Sequence, residues 1–172
     1  MADWIKEKTN LDELIDYPQL IISRLADSPA IRDLLADTTN ATVEDIEDKN
    51  GGYKYIYDYD YVDDTTQDTR AYICLESYID EVDNDHILSM VINVNVICHK
   101  QYMKLNHKTF KGLKGNRKDN LIRYIDKLLN GTRIGIGRLE LVDVKPLNVP
   151  QNYTGLVSIY RLYDFNRTTN NE

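Results

Sequence analysis

The chain has 172 residues, of which 42% are hydrophobic and 28% are charged, and its formal net charge is −7. These values are typical of one globular domain with a buried core, and they exclude disordered, collagen-like and coiled-coil chains. No stretch approaches the run of about 18 apolar residues that a membrane helix needs, and the first residues lack the apolar segment of a signal peptide. We therefore expect a single domain over residues 1–172, with an ordered core at about 18–166, made in the cytoplasm.

The charge is unevenly distributed along the chain. Residues 1–64 carry a net charge of −10 and residues 65–99 a net −5, whereas residues 100–133 carry +8. Such a division can steer partners of either sign, although lysines that decorate a solvated loop and helix face explain the basic segment equally well. If that segment gripped DNA, the residues on the phosphates would be Lys108, Lys111, Lys114, Arg117 and Lys118.

Two short helices are predicted near the N-terminus. Pro18 can open the first helix, because proline is tolerated in a first turn. The apolar residues that follow it are Leu20, Ile21, Ile22 and Leu25. Ser28 and Pro29 have the pattern of an N-cap and first residue of a second helix, which residues 38–40 end.

Residues 53–62 have a tyrosine at every second position. The five are Tyr53, Tyr55, Tyr57, Tyr59 and Tyr61. In an extended chain all five rings project to one face, opposite Lys54, Asp58 and Asp60. The segment lacks a clean aliphatic face, so we interpret residues 53–64 as an edge strand or a projecting arm. Because tyrosine is enriched at protein interfaces, the five tyrosines are the candidate inter-subunit contacts.

Two strands with alternating apolar residues come next, at 70–79 and 85–98. One face of the second strand is fully apolar, and its residues are Leu88, Met90, Ile92, Val94, Val96 and Cys98. A turn at residues 81–84 makes an antiparallel hairpin the natural pairing.

The strongest helical pattern spans about 116–130, with Asn116 as N-cap and Gly131 just after the end. Two further strands are predicted at 139–144 and 156–165, and residues 167–172 are expected to fray. The order of elements predicts an α+β fold. In it, an antiparallel sheet carries one long amphipathic helix, and two short N-terminal helices complete the core.

Metal-binding and cofactor-binding patterns are missing from the sequence. The three histidines are not paired at helical spacing, and two cysteines are too few for a zinc site. Cys74 and Cys98 fit buried free thiols on strands. The glycines at 131, 135 and 137 follow a helix and precede a strand, the reverse of a dinucleotide fingerprint, and flexible glycines at a junction explain them.

Asp143 and Lys145 form the one enzyme-like pattern. It resembles the acid-x-lysine strand of a large nuclease superfamily, in which the acid holds Mg²⁺ and the lysine stabilises developing charge. A second acid is needed upstream, where the sequence offers only a glycine junction and a helix containing Asp126. We therefore predict no catalytic residue, no cofactor and no metal site.

Four stretches are similar in character to neck and tail-completion proteins of tailed bacteriophages. They are TRAYICLE at 69–76, VNVICHK at 94–100, NG with GIGRLEL at 130–141, and YDFN at 163–166. The order of helices, hairpin, helix and closing strand pair also resembles the small tail-terminator proteins of these phages, over roughly residues 18–166.

This resemblance implies a structural virion protein that forms a ring, typically a hexamer. The ring would cap the head-proximal end of the tail tube and meet the head-completion, or head–tail connector, proteins. DNA would pass through without specific binding, and no membrane would be involved. Two alternatives stay open: a cytoplasmic protein-binding or regulatory module, and, less favoured, a metal-dependent nuclease.

Overall fold

The computed structural model describes residues 10–62, 66–82, 87–135 and 137–165. Its elements are, in chain order, α1 (Asn10–Asp27), α2 (Pro29–Ala36), β1 (Ile56–Tyr57), β2 (Ala71–Val82), β3 (Ile87–His99), a 3-10 turn (Lys100–Tyr102), α3 (Arg117–Leu129), β4 (Arg133–Ile134), β5 (Gly137–Arg138), β6 (Glu140–Leu147) and β7 (Tyr153–Phe165). The expected mixture of helices and strands is therefore confirmed. Residues 83 and 84 of the predicted hairpin turn, residues 63 and 64 of the tyrosine-rich segment and the C-terminal tail from residue 166 lie outside the described residues.

Five strands form the main sheet in the order β1-β2-β3-β7-β6, and β4 pairs with β5 separately. The predicted hairpin of β2 and β3 is confirmed, with Leu75 opposite Val94, and β7 pairs antiparallel with both β3 and β6. β1 instead runs parallel to β2, with Ile56 opposite Ile73. The sheet is therefore mixed rather than wholly antiparallel, because the chain crosses back between these two strands.

The core lies between one face of the sheet and the three helices. Every residue predicted for the apolar face of β3, from Leu88 to Cys98, is buried there. The helices add apolar residues to the same cluster, among them Ile21, Leu25, Ile31, Leu34, Leu35, Leu121, Ile125 and Leu129. Burial of each such side chain contributes about 1.5–3 kcal/mol. None of the described helices is long and apolar enough to cross a membrane.

The first helix is longer than the sequence predicts. Pro18 lies inside α1, which has 18 residues, whereas α3 has 13. The expectation of one long helix beside two short ones is therefore wrong. Because proline has no N–H, Pro18 cannot donate to the carbonyl oxygen of Leu14, one turn earlier. That oxygen instead accepts a 2.9 Å hydrogen bond from the hydroxyl of Ser77 in β2. The sheet thus supplies the bond that would otherwise be missing.

The ends of the other helices follow their predicted capping residues. Ser28 is extended at the N-cap position and Pro29 is the first residue of α2, although the Ser28 side chain caps no N–H of this helix. The Asn116 side chain accepts the Asp119 N–H at 3.0 Å, as expected of an N-cap. Gly131, just beyond α3, has a φ of 77°, the left-handed conformation typical of a helix C-terminus.

The edge strand β6 continues past the predicted strand end. Pro146 pairs with Leu156 of β7, although we expected the strand to stop at residue 144. Proline is tolerated here because an edge strand needs no donor on its outer side.

Gly137 is required for packing rather than for flexibility. A Cβ atom at this position would collide with the backbone carbonyl oxygen of Tyr163. At Gly135, where φ is 60°, a Cβ would meet the side chains of Tyr17 and Asp164. The Tyr17 hydroxyl donates to the Asp164 carboxylate, which ties α1 to β7. The interpretation of these two glycines as merely flexible is therefore wrong.

Candidate functional site

The tyrosine-rich segment packs on the face of the sheet that the helices leave uncovered. The rings of Tyr57 and Tyr61 are stacked, with centroids 4.3 Å apart and planes at 10°. The Tyr61 ring lies 5.1 Å from that of Tyr72 in β2, and the rings of Tyr55 and Tyr57 lie 6.3 Å from it. These spacings are those of interacting aromatic pairs. Three of the five predicted interface tyrosines thus pack around Tyr72 of their own chain.

A second apolar cluster forms beneath these rings. Its buried members are Val62, Tyr72, Cys74, Ile97 and Tyr153. Asp68 anchors the cluster at its margin: its carboxylate accepts from the Tyr72 hydroxyl at 3.3 Å, and its carbonyl accepts from the Tyr153 hydroxyl at 2.7 Å. Burial raises the pKa of Tyr72 and of Tyr57 well above the usual range. These phenols therefore stay protonated and act as packing groups.

The remaining two tyrosines are placed differently. Tyr53 is half-buried and packs against the core on the helical side, where burial raises its pKa, helped by Asp27 and Glu47. Tyr59 is 54% exposed, and its ring centroid lies 5.3 Å from that of Tyr57. Tyr59 is therefore the member of the set whose ring is most available to a partner.

A pocket of about 290 Å³ opens beside Tyr59, between α1, the turn at residues 48–52 and the tyrosine-rich segment. Three tyrosines line it together with two carboxylates, and these residues are Tyr53, Tyr57, Tyr59, Asp48 and Asp58. Asp58 accepts from the Gln19 amide at 2.7 Å. Asp48 holds the turn, because its Oδ1 accepts the Gly52 N–H at 3.1 Å. The pocket is thus both aromatic and acidic.

The two cysteines are free and buried, as predicted. Burial raises the pKa of each thiol from 9.0 to about 12. The thiolate is the nucleophilic form of cysteine, so neither side chain has the state that a nucleophile needs at neutral pH.

The enzyme-like residues do not converge in the described structure. Asp143 and Lys145 pair with Ile159 and Val157, so they project to the face of the sheet away from the helices. Asp126 lies on the opposite side, where its carboxylate accepts from the Tyr160 hydroxyl at 3.4 Å. Among the described residues, no three His, Cys, Asp or Glu side chains are grouped to hold a metal ion.

The five basic residues predicted to contact DNA differ in exposure, and Lys118 is half-buried. Lys108, Lys111 and Lys114 are exposed, whereas Arg117 is only 1% exposed and donates to backbone and side-chain oxygens of α2 and its C-terminal turn. Arg117 therefore cannot contact a phosphate while the protein is folded. The prediction that five basic residues contact DNA is wrong for this residue.

One signal in the sequence could have identified Arg117 as buried. Arg117, Leu121, Ile125 and Leu129 follow each other at intervals of four, the spacing of one helix face. All four are buried in α3. The sequence also did not identify Tyr72 as the residue on which the tyrosine-rich segment packs. Alternation along a strand indicates which face of the sheet a side chain lies on, but not which segment covers that face.

The chain belongs to the YomW family, whose model matches residues 27–162. This match covers α2, all of β1 to β6 and most of β7, while α1 lies almost wholly outside it. The family carries the name of a gene product of an SPBc2-type Bacillus phage, which indicates a phage-related protein. No curated protein matches the chain.

Proposed function

We propose that the protein is a structural virion component of a tailed phage, a ring-forming tail terminator or neck protein that joins the tail tube to the head-completion proteins. Membership of a phage-related family supports the phage setting. The order on which the resemblance to tail-terminator proteins rests, helices first, then a hairpin, a helix and a closing strand pair, is also the order of the main elements of the fold.

The observation that carries the proposed assembly is the presence of exposed apolar side chains at both edges of the main sheet. At the β1 edge, Tyr59, two residues beyond that strand, is 54% exposed. At the β6 edge, Val142 and Val144 are 53% and 43% exposed. Exposed apolar residues that cluster, rather than scatter singly, mark interaction sites.

Two unlike surfaces at opposite edges favour a head-to-tail contact, in which each subunit uses one surface toward each neighbour. Such heterologous contacts close into rings when the rotation between subunits allows it. A contact between identical surfaces would instead give a two-fold dimer. The arrangement therefore supports a ring, the assembly that a tail terminator forms.

Light scattering across a concentration series, with and without tail-tube protein, tests the proposal. We expect a mass several times that of the 20.0 kDa chain. A strict monomer under both conditions would contradict the proposal and would favour a monomeric protein-binding module.

The proposal also predicts that the protein binds duplex DNA only weakly. A channel for DNA must not hold phosphates, because each lysine or arginine on the duplex binds by releasing counterions. Residues 1–99 have the acidic surplus to line such a channel. We expect only weak duplex binding in a low-salt filter assay. Tight binding that weakens steeply with salt, and that is lost when Lys108, Lys111, Lys114 and Lys118 become glutamine, would contradict this.

A further inference from the structure

The pocket beside Tyr59 has the chemistry of a site for a cationic side chain. Asp48 and Asp58 each use one carboxylate oxygen within the chain. The second oxygen of each, Oδ2 of Asp48 and Oδ1 of Asp58, accepts no hydrogen bond from any described residue. Aromatic rings and carboxylates together attract ammonium and guanidinium groups, and three tyrosines line the pocket beside the two carboxylates.

Residues 108–114, which we call the lysine loop, carry cations that form no ion pair with any described residue. Lys108, Lys111 and Lys114 are exposed. The described ion pairs of the chain involve Arg117 and Arg161 and none of these lysines. The loop therefore presents three exposed positive charges that the described part of the chain does not neutralise.

The lysine loop has a fixed shape. Phe110 is buried, at 6% exposure, and its N–H donates to the Asn106 carbonyl oxygen at 2.8 Å. The Lys108 N–H donates to the Asn106 side-chain oxygen at 3.0 Å. Gly112 has a φ of 82°, which glycine adopts without strain. A loop that is already ordered loses little entropy when it binds.

The loop and the pocket lie at different places in the fold. The pocket is beside β1, at one edge of the sheet. The loop leads into α3, whose Lys118 donates to the Thr154 hydroxyl at 3.2 Å, where β7 begins and β6 ends. No described hydrogen bond or ion pair joins the lysine loop to Asp48 or Asp58.

We propose that the pocket beside Tyr59 receives a lysine of the lysine loop from a second copy of this chain. The inference rests on the proposed ring. It adds a polar contact to the exposed apolar residues at the β1 and β6 edges of the sheet. Charge complementarity supports this occupant: residues 1–64 carry a net −10 and residues 100–133 a net +8. Because pocket and loop are different surfaces, the contact is head-to-tail, as a closed ring requires.

Charge reversal of each surface, separately and together, tests the contact by native mass spectrometry over a concentration series. The pocket variant is Asp48→Lys/Asp58→Lys, and the loop variant is Lys108→Glu/Lys111→Glu/Lys114→Glu. Each should raise the protein concentration at half-assembly by about tenfold or more, because like charges then meet at the contact. The variant that carries all five substitutions should return to within about threefold of the wild type, since opposite charges meet again.

Two further variants separate the contact from folding and from net charge. Asp48→Asn/Asp58→Asn keeps the side-chain oxygen that holds the turn and should weaken assembly in the same direction. Arg123→Glu/Lys127→Glu reverses two other charges of the basic segment, on α3, and should leave assembly unchanged. If the five-substitution variant assembles no better than the single-surface variants, the contact is refuted while the ring stands. A wild type that never assembles refutes the ring itself.

Discussion

The guanidinium carbon of Arg117 lies 3.9 Å from the centroid of the Tyr102 ring, and its Nε donates to the Tyr102 carbonyl oxygen at 2.9 Å. The terminal nitrogens donate to the Leu34 carbonyl oxygen and the Asp37 carboxylate. The Tyr102 hydroxyl in turn donates to the Leu35 carbonyl oxygen at 3.0 Å. One buried cation thus joins the end of α2, the 3-10 turn and the start of α3.

Replacing Arg117 by alanine should lower the free energy of unfolding by about 3 kcal/mol, because it leaves buried carbonyl oxygens and Asp37 without their donor. Arg117→Lys should recover only part of this loss, since an ammonium cannot reproduce the planar fork of donors. Urea unfolding measures both. The matched control is Lys127→Ala, which removes an exposed cation from the same helix α3 and is expected within about 0.5 kcal/mol of the wild type. Equal effects of the two alanine substitutions would contradict the role of Arg117.

The bond between Ser77 and Leu14 makes a second stability prediction. Ser77→Ala should cost about 1–2 kcal/mol, because the Leu14 carbonyl that Pro18 leaves without a donor then loses its replacement. Ser23→Ala, an exposed serine in the same helix α1, is the control and should cost less than about 0.5 kcal/mol. Urea denaturation measures the free energy of unfolding of both variants. An unchanged value for Ser77→Ala would show that water can donate to the Leu14 carbonyl oxygen equally well, and would contradict the prediction.

The tyrosine-rich segment can be tested one ring at a time. Tyr57→Ser should destabilise the monomer by about 2 kcal/mol, because it removes the ring stacked on Tyr61. Tyr59→Ser should leave the free energy of unfolding within about 0.5 kcal/mol, since that ring is mostly exposed. If Tyr59 contacts a neighbouring subunit, the same substitution should still weaken assembly. A Tyr59→Ser protein that is both stable and fully assembled would remove Tyr59 from the interface.

The hairpin of β2 and β3, the caps of α2 and α3 and the apolar face of β3 were predictable, because each depends on residues close together in sequence. The start of α1 was not, since the hydrogen bond that compensates for Pro18 comes from Ser77, far along the chain. The packing of the tyrosine rings could not be predicted from the sequence either. Alternation indicates which side chains share a face, but Tyr72 decides that the rings of Tyr57 and Tyr61 turn inward.

The buried thiols predict a loss of stability at alkaline pH. The pKa of Cys74 and of Cys98 is about 12 in the folded protein and 9.0 ordinarily. The unfolded chain therefore ionises first, so the stabilisation is complete below pH 9 and is lost as the pH rises toward 12. Between pH 8 and pH 10 we expect the free energy of unfolding to fall by about 1 kcal/mol per thiol.

Urea titrations at each pH measure this fall, and a Cys74→Ala/Cys98→Ala variant is the control. Its free energy of unfolding should be lower overall but should change less between pH 8 and pH 10. An identical pH dependence with and without the thiols would contradict the assignment. Burial also raises the pKa of tyrosines such as Tyr160. These tyrosines dominate the pH dependence of the free energy of unfolding only at higher pH.

Negative-stain electron microscopy of the purified protein, alone and with tail-tube protein, tests the head-to-tail ring most directly. Heterologous contacts that close predict rings with a central channel and the rotational symmetry of a hexamer. Two-fold dimers, open filaments or dispersed monomers under both conditions would contradict it.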